Sequence, residues 1–121
     1  MQNKDATGSK GERLARKFLQ DNKFVISHMN WRFGHKELDI IATKNNMLHI
    51  IEVKTRTSAY WKEPKSAVVK RKQKNMIAAA EAYISRENIN TETQFDVISI
   101  VINGNEHELE YIPNAFVPSE I

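Results

Sequence analysis

Residues 37–54 read Glu37-Leu38-Asp39-Ile40-Ile41-Ala42-Thr43-Lys44-Asn45-Asn46-Met47-Leu48-His49-Ile50-Ile51-Glu52-Val53-Lys54. Two apolar runs rich in isoleucine flank Lys44-Asn45-Asn46, a triplet with turn chemistry. The pattern predicts strands over 37–43 and 47–55, joined as a hairpin. Each strand carries a carboxylate, and the second adds an ammonium. Side chains two apart on a strand share a face, so Glu52 projects with Lys54 and Glu37 with Asp39. Acids set among isoleucines need a partner, because an unpaired buried charge is expensive. Asp39 and Glu52 fall on adjacent strands. Cross-strand neighbours lie about 4.5–5.5 Å apart at Cβ, a workable span for bridging one ion.

Outward from this hairpin, the spacing of Leu14, Ala15, Phe18 and Leu19 predicts a helix to about Asn22, capped by Ser9 or Thr7. Glu12 falls at the edge of its apolar stripe. Alternation over 24–32 predicts a strand. Residues 57–64 read as a loop bearing Tyr60 and Trp61, which could stack on unpaired bases, fold onto the core as a lid or form a protein-contact site. Helical spacing returns over 67–86, with Val69, Gln73, Met76, Ile77, Ala80 and Ile84 on one face. A polar connection leads to a β-branched strand over 95–102. Asn103-Gly104 is a hairpin turn signal, and His107, Leu109 and Tyr111 alternate on a last strand. Residues 113–116 either pack back or fray. The order α-β-β-β-α-β-β implies an α/β fold, with a central mixed sheet flanked by helices.

The length, 121 residues, suits a single domain over 1–121. No apolar stretch approaches a membrane span, the first residues lack a signal-peptide core, and there is no cysteine. A cytoplasmic protein without disulfides or thiolate metal sites is expected. The net charge is +3 but unevenly spread. Residues 54–74 hold eight bases against one acid, and residues 87–121 hold seven acids and no lysine or arginine. Arg56, Lys70, Arg71, Lys72 and Lys74 are candidate phosphate contacts; a solvated, lysine-rich helix start is the competing reading. The acidic C-terminal hairpin is a candidate surface for a protein partner.

Paired carboxylates beside a lysine suit phosphodiester hydrolysis. A hard cation such as Mg²⁺, or Mn²⁺, prefers oxygen ligands. Asp39, Glu52 and the Val53 carbonyl could supply them, with Glu12 adding a ligand directly or through water. The metal would polarise the phosphate and acidify a bound water. Lys54 would orient that water or offset developing charge. Glu37 is either an auxiliary acid or solvated. Glu-x-Lys alone is a weak motif, and an exposed ion pair on a sheet edge would look the same. Asp96 reads as structural, accepting a hydrogen bond. His28, His35, His49 and His107 show no zinc spacing.

Several motifs recur together: Gly8-Ser9-Lys10-Gly11-Glu12, Glu37-Leu38-Asp39-Ile40-Ile41-Ala42, Glu52-Val53-Lys54-Thr55-Arg56, Lys72-Gln73, Phe95-Asp96-Val97 and Asn114-Ala115-Phe116. In order and approximate spacing, nearly along the whole chain, they resemble the bacterial YraN family, also called UPF0102. That family is grouped with the PD-(D/E)xK nucleases, and the pattern is also similar to archaeal Holliday-junction resolvases. The resemblance implies a restriction-endonuclease-like three-layer core, with Asp39, Glu52 and Lys54 as its signature and Glu12 as a fourth member. The chain departs from the family pattern at Lys36, where glycine is usual, near Trp61, and at Gln94, where arginine is usual. The expected activity is metal-dependent cleavage of DNA, of branched or flapped form, with a homodimer as a candidate state. The alternatives are a nucleic-acid-binding module with little chemistry and a partner-binding protein.

Overall fold

The computed structural model describes residues 6–57 and 67–118. Its elements are α1 (Ala6–Asp21), β1 (Val25–Phe33), β2 (Lys36–Lys44), β3 (Met47–Thr57), α2 (Lys70–Arg86), β4 (Thr93–Asn103) and β5 (Glu106–Phe116). The strands form one sheet in chain order. The β1–β2, β2–β3 and β4–β5 pairs are antiparallel, as short turns demand, and β3–β4 is parallel because α2 carries the chain back between them. The sheet is therefore mixed, with two helices packed on it.

Ile50 and Ile51 are neighbours on β3 and both are fully buried. Neighbouring strand residues point to opposite faces, so both faces must be covered. Leu48 and Ile50 pack with Met76, Ala79, Ala80 and Tyr83 of α2. Ile51 packs with Ala15 and Leu19 of α1, and the half-buried Val53 leans on the same cluster. The result is three layers, helix, sheet and helix, with β3 as the central spine.

The β2–β3 turn works through its asparagines. Asn45 and Asn46 sit at φ 52° and 63° between the paired Lys44 and Met47, the left-handed geometry that two-residue hairpins favour. A second two-residue turn, Gly34-His35 between paired Phe33 and Lys36 with only Gly34 at positive φ, lengthens the β1–β2 hairpin beyond the expected strand ends.

Several boundaries differ from expectation. Helix α1 starts at Ala6, so Thr7 and Ser9 lie inside it and neither caps it. Helix α2 starts at Lys70 rather than 67, because Val69 is extended at its N-cap. Residues 113–116 pack back rather than fray, as an extension of β5. Phe116 stacks on Phe95 at 4.9 Å between ring centres, and Asn114, at φ 54°, donates its N–H to Asp96. Tyr60 and Trp61 lie outside the described residues. Among the described residues, no helix is long and apolar enough to cross a membrane.

Asp96 has the structural role expected of it, on a larger scale. Its Oδ1 accepts from Gln94 Nε2 and Asn114 N, at 2.9 and 2.8 Å. Its Oδ2 accepts from Tyr111 at 2.8 Å and lies 2.8 Å from His49 Nδ1. Burial pushes this carboxyl up, but the four partners outweigh burial and hold it below the usual range. One carboxylate thereby ties β3, β4 and β5 together.

Candidate functional site, a carboxylate pair where two strands part

The β2–β3 ladder runs from Lys44↔Met47 to Ile40↔Ile51 and stops. Asp39 and Glu52 are the residues just beyond its last pair. From there β3 continues against β4 as far as Thr57↔Ile102. Asp39 fills the place of a ladder acceptor, its Oδ2 taking the Val53 N–H at 2.8 Å. Strand facing also changes here. Leu38 packs in the α2 cluster, whereas Ile40, two residues on, packs in the α1 cluster. The strict period-two alternation is thus interrupted between Leu38 and Ile40, around Asp39. Glu37 is half-buried and stands opposite Arg32 in the β1–β2 ladder.

The Asp39 and Glu52 carboxyl groups hydrogen-bond to each other. Two half-buried carboxyl groups in contact repel each other when both are charged, which favours a retained proton. Burial first, then Asp39, pushes Glu52 up to about 8. Burial also raises Asp39, against the pull of the Val53 N–H. Glu12 adds repulsion at Asp39, and Lys72 and Lys54 favour ionisation of Glu52.

The two helices reach the site from opposite faces. Glu52 and Lys54 project with Ile50 toward the α2 face. Lys72 Nζ of α2 lies 3.7 Å from Glu52 Oε1, so this lysine is drawn into the site and away from the outer surface. Lys54 is half-buried, and its Nζ donates to the Ala67 carbonyl at 2.5 Å, tying β3 to the segment that leads into α2. Glu12 arrives from α1, which approaches β3 closely at Gly11. A Cβ added at Gly11 would lie 2.0 Å from Thr55 Oγ1. Glu12 Oε1 accepts from Asn30 Nδ2 at 3.1 Å.

The remaining basic residues divide. Lys70, Arg71 and Lys74 are exposed at the start of α2, and Arg56 is half-buried on β3 opposite Val101. The first turn of α2 has no acid, and Val69 offers no side-chain cap. Cations at a helix N-terminus oppose its dipole, and together with the uncapped N–H groups they favour an anion there.

Among the described residues, no three acidic, histidine or cysteine side chains gather as a metal cage. A Mg²⁺-like ion does not require one, since it keeps several waters and takes one or two carboxylates. Asp39, Glu52 and the Val53 carbonyl fit that need. The nearby Asn30 Oδ1 is buried without a hydrogen-bond partner.

Asn30 belongs to this site and was not singled out by sequence, and Gly11 entered only as part of a family motif, without a role. Each carried a signal. Asparagine is unfavourable in a strand, and glycine weakens a helix unless a close approach needs it.

A model of the uncharacterised protein family UPF0102 matches residues 11–100, a span containing Glu12, Asp39, Glu52 and Lys54. A UPF0102 protein of Bacteroides thetaiotaomicron is 39% identical over 111 residues, 92% of each chain. One of Bacteroides fragilis is 40% identical over the same length and coverage. One of Geobacter metallireducens is 38% identical over 110 residues, 90% of each chain. By the match over 11–100 and by these relatives, the chain belongs to the uncharacterised protein family UPF0102.

Proposed function

We propose that the protein is a metal-dependent endonuclease of the restriction-endonuclease-like kind, hydrolysing DNA phosphodiester bonds, with branched or flapped DNA as the preferred substrate. The single observation that carries this reading is the half-buried, proton-sharing Asp39–Glu52 pair with Lys54 on the Glu52 face. Buried acids that repel one another are costly and cluster where chemistry uses them. The three-layer α/β build and the order Glu12, Asp39, Glu52-Val53-Lys54 support it further.

Asp39, Glu52 and the Val53 carbonyl would hold Mg²⁺ or Mn²⁺, which supplies polarisation of the phosphate and activation of water. The protein's own residues do the rest. The Val53 N–H fixes the Asp39 carboxylate in the gap between strands. Lys72 balances charge at Glu52. Lys54 offsets negative charge that develops on the phosphate, a role limited to the transition state. Lys70, Arg71, Lys74 and Arg56 hold the backbone of the nucleic acid. A DNA substrate makes the cytoplasm the expected compartment.

The test is a cleavage panel of linear duplex, flap, junction and single strand, with Mg²⁺ or Mn²⁺ and with chelator. Cleavage of at least one substrate, abolished by chelator, is expected. Lys54→Ala should lower the single-turnover rate on the order of 10²–10³-fold while leaving DNA affinity nearly intact. Equal rates in wild type and Lys54→Ala would move the activity elsewhere. A wild type that binds DNA and cleaves nothing would make the protein a binding module.

A further inference from the structure

Asn30 has no place in the motif of acids and lysine, yet its geometry belongs to the site. It lies within β1 at φ 56°, a left-handed conformation uncommon for non-glycine residues inside strands. It stands opposite Asp39 in the β1–β2 ladder, between the pairs Met29↔Ile40 and Trp31↔Leu38. Its Nδ2 donates to Glu12 Oε1 at 3.1 Å. Its Oδ1 is buried and has no hydrogen-bond partner. Buried acceptors are almost always satisfied, so an unmet one beside paired carboxylates calls for a ligand.

We infer that Asn30 is a positioning residue and a neutral oxygen donor of the cation site, holding Glu12 through Nδ2 and offering Oδ1 to the coordination shell of a divalent ion. The inference rests on the metal-dependent reading above. An amide suits this place better than the alternatives. Aspartate would add a carboxylate beside Glu12, Asp39 and Glu52, and would lose the donor that Glu12 needs. Glycine would adopt the same backbone without strain, but would supply neither atom. Asparagine tolerates positive φ and carries both a donor and an acceptor.

Glycine therefore makes the decisive variant, because it keeps the backbone and removes only the side chain. The measurement is calorimetric titration of the full chain with Mn²⁺ alone. Melting without metal reports whether each variant folds. Asn30→Gly should melt near wild type and bind Mn²⁺ about tenfold more weakly or worse, the usual scale for losing a supporting group at a metal site. Asn30→Asp keeps an oxygen at the same place but loses the donor to Glu12, and should bind Mn²⁺ more tightly than Asn30→Gly. If Asn30→Gly fails to fold, Asn30→Ala makes the same comparison. Wild-type affinity in Asn30→Gly would show that asparagine serves the backbone alone and would overturn the inference. Binding no tighter in Asn30→Asp than in Asn30→Gly would overturn the oxygen-donor role. A wild type that takes up no Mn²⁺ would overturn the metal-dependent reading and this inference with it. That outcome differs from the other two because the unaltered chain is then silent.

Discussion

At the scale of single residues, the site is a problem of charge in a small space. Asp39 and Glu52 share a proton because burial and mutual repulsion leave too little stabilisation for two anions. This makes the metal-free protein pH-sensitive in a defined sense. An unfolded glutamate releases its proton near 4.5, whereas folded Glu52 keeps it up to about 8. Between those values the folded state binds more protons than the unfolded state. Stability therefore falls as pH rises through that window, by up to about 1.4 kcal/mol per pH unit for one proton. Glu52→Gln should flatten the slope, and chemical denaturation at pH 5, 6.5 and 8 in chelator would measure it. A slope unchanged in Glu52→Gln would mean that the proton sits on another group. Mg²⁺ should raise the melting temperature of the wild type by binding only the folded state, and Glu52→Gln should lose that rise.

At the scale of elements, the arrangement depends on how close α1 comes to β3. Gly11 is fully buried, and the Thr55 side chain occupies the space its Cβ would need. Gly11→Ala adds helix propensity worth about 1 kcal/mol, yet overpacking typically costs about 1–3 kcal/mol. The clash at 2.0 Å decides for overpacking. Gly11→Ala should lower stability and displace Glu12 from Asn30, and Thr55→Ala in the same chain should recover most of the loss. Denaturation curves of the single and double variants test this. A single variant as stable as wild type would show that α1 can shift without cost. The strand ends are governed by equally local devices. Asn45 and Asn46 were legible as a turn because asparagine accepts positive φ. The extension of β5 through residues 113–116 was hidden, because it depends on Asp96, eighteen residues upstream of Asn114.

At the scale of the whole molecule, charge separates along the chain and then in space. Lys70, Arg71 and Lys74 are exposed at the N-terminus of α2, beside the lysine that reaches Glu52. Glu106, Glu108 and Glu110 are exposed on β5, at the far edge of the sheet. Nucleic acid should lie along the α2 end and avoid the β5 edge. Binding should weaken steeply with salt, and neutralising Lys70, Arg71 and Lys74 together should reduce the slope of log affinity against log salt by roughly two to three on duplex DNA. Filter binding or anisotropy across a salt series measures it. A slope unmoved by the three changes would reassign this basic surface to solvation. Neutralising Glu106 and Glu108 should leave the slope nearly unchanged; if it shifts as much, the path of the nucleic acid crosses β5 instead.

Sequence by itself determined what depends on near neighbours. Period-two and period-3.6 patterns set the element order, the asparagine turn joined β2 to β3, and the hairpin placed Asp39 and Glu52 on adjacent strands. Glu52 and Lys54 share a face because two residues of β3 span one pleat. Tertiary structure alone decided what depends on distant chain segments meeting. It stopped the β2–β3 ladder at Ile40↔Ile51 and turned the Asp39 carboxylate onto the Val53 N–H. It drew Lys72 to Glu52 and Lys54 to Ala67, and it brought Asn30 to Glu12 across two elements. The physical reason is one of range: backbone periodicity acts over a few residues, whereas the cost of burying a charge or an amide is settled only by the groups that packing brings beside it.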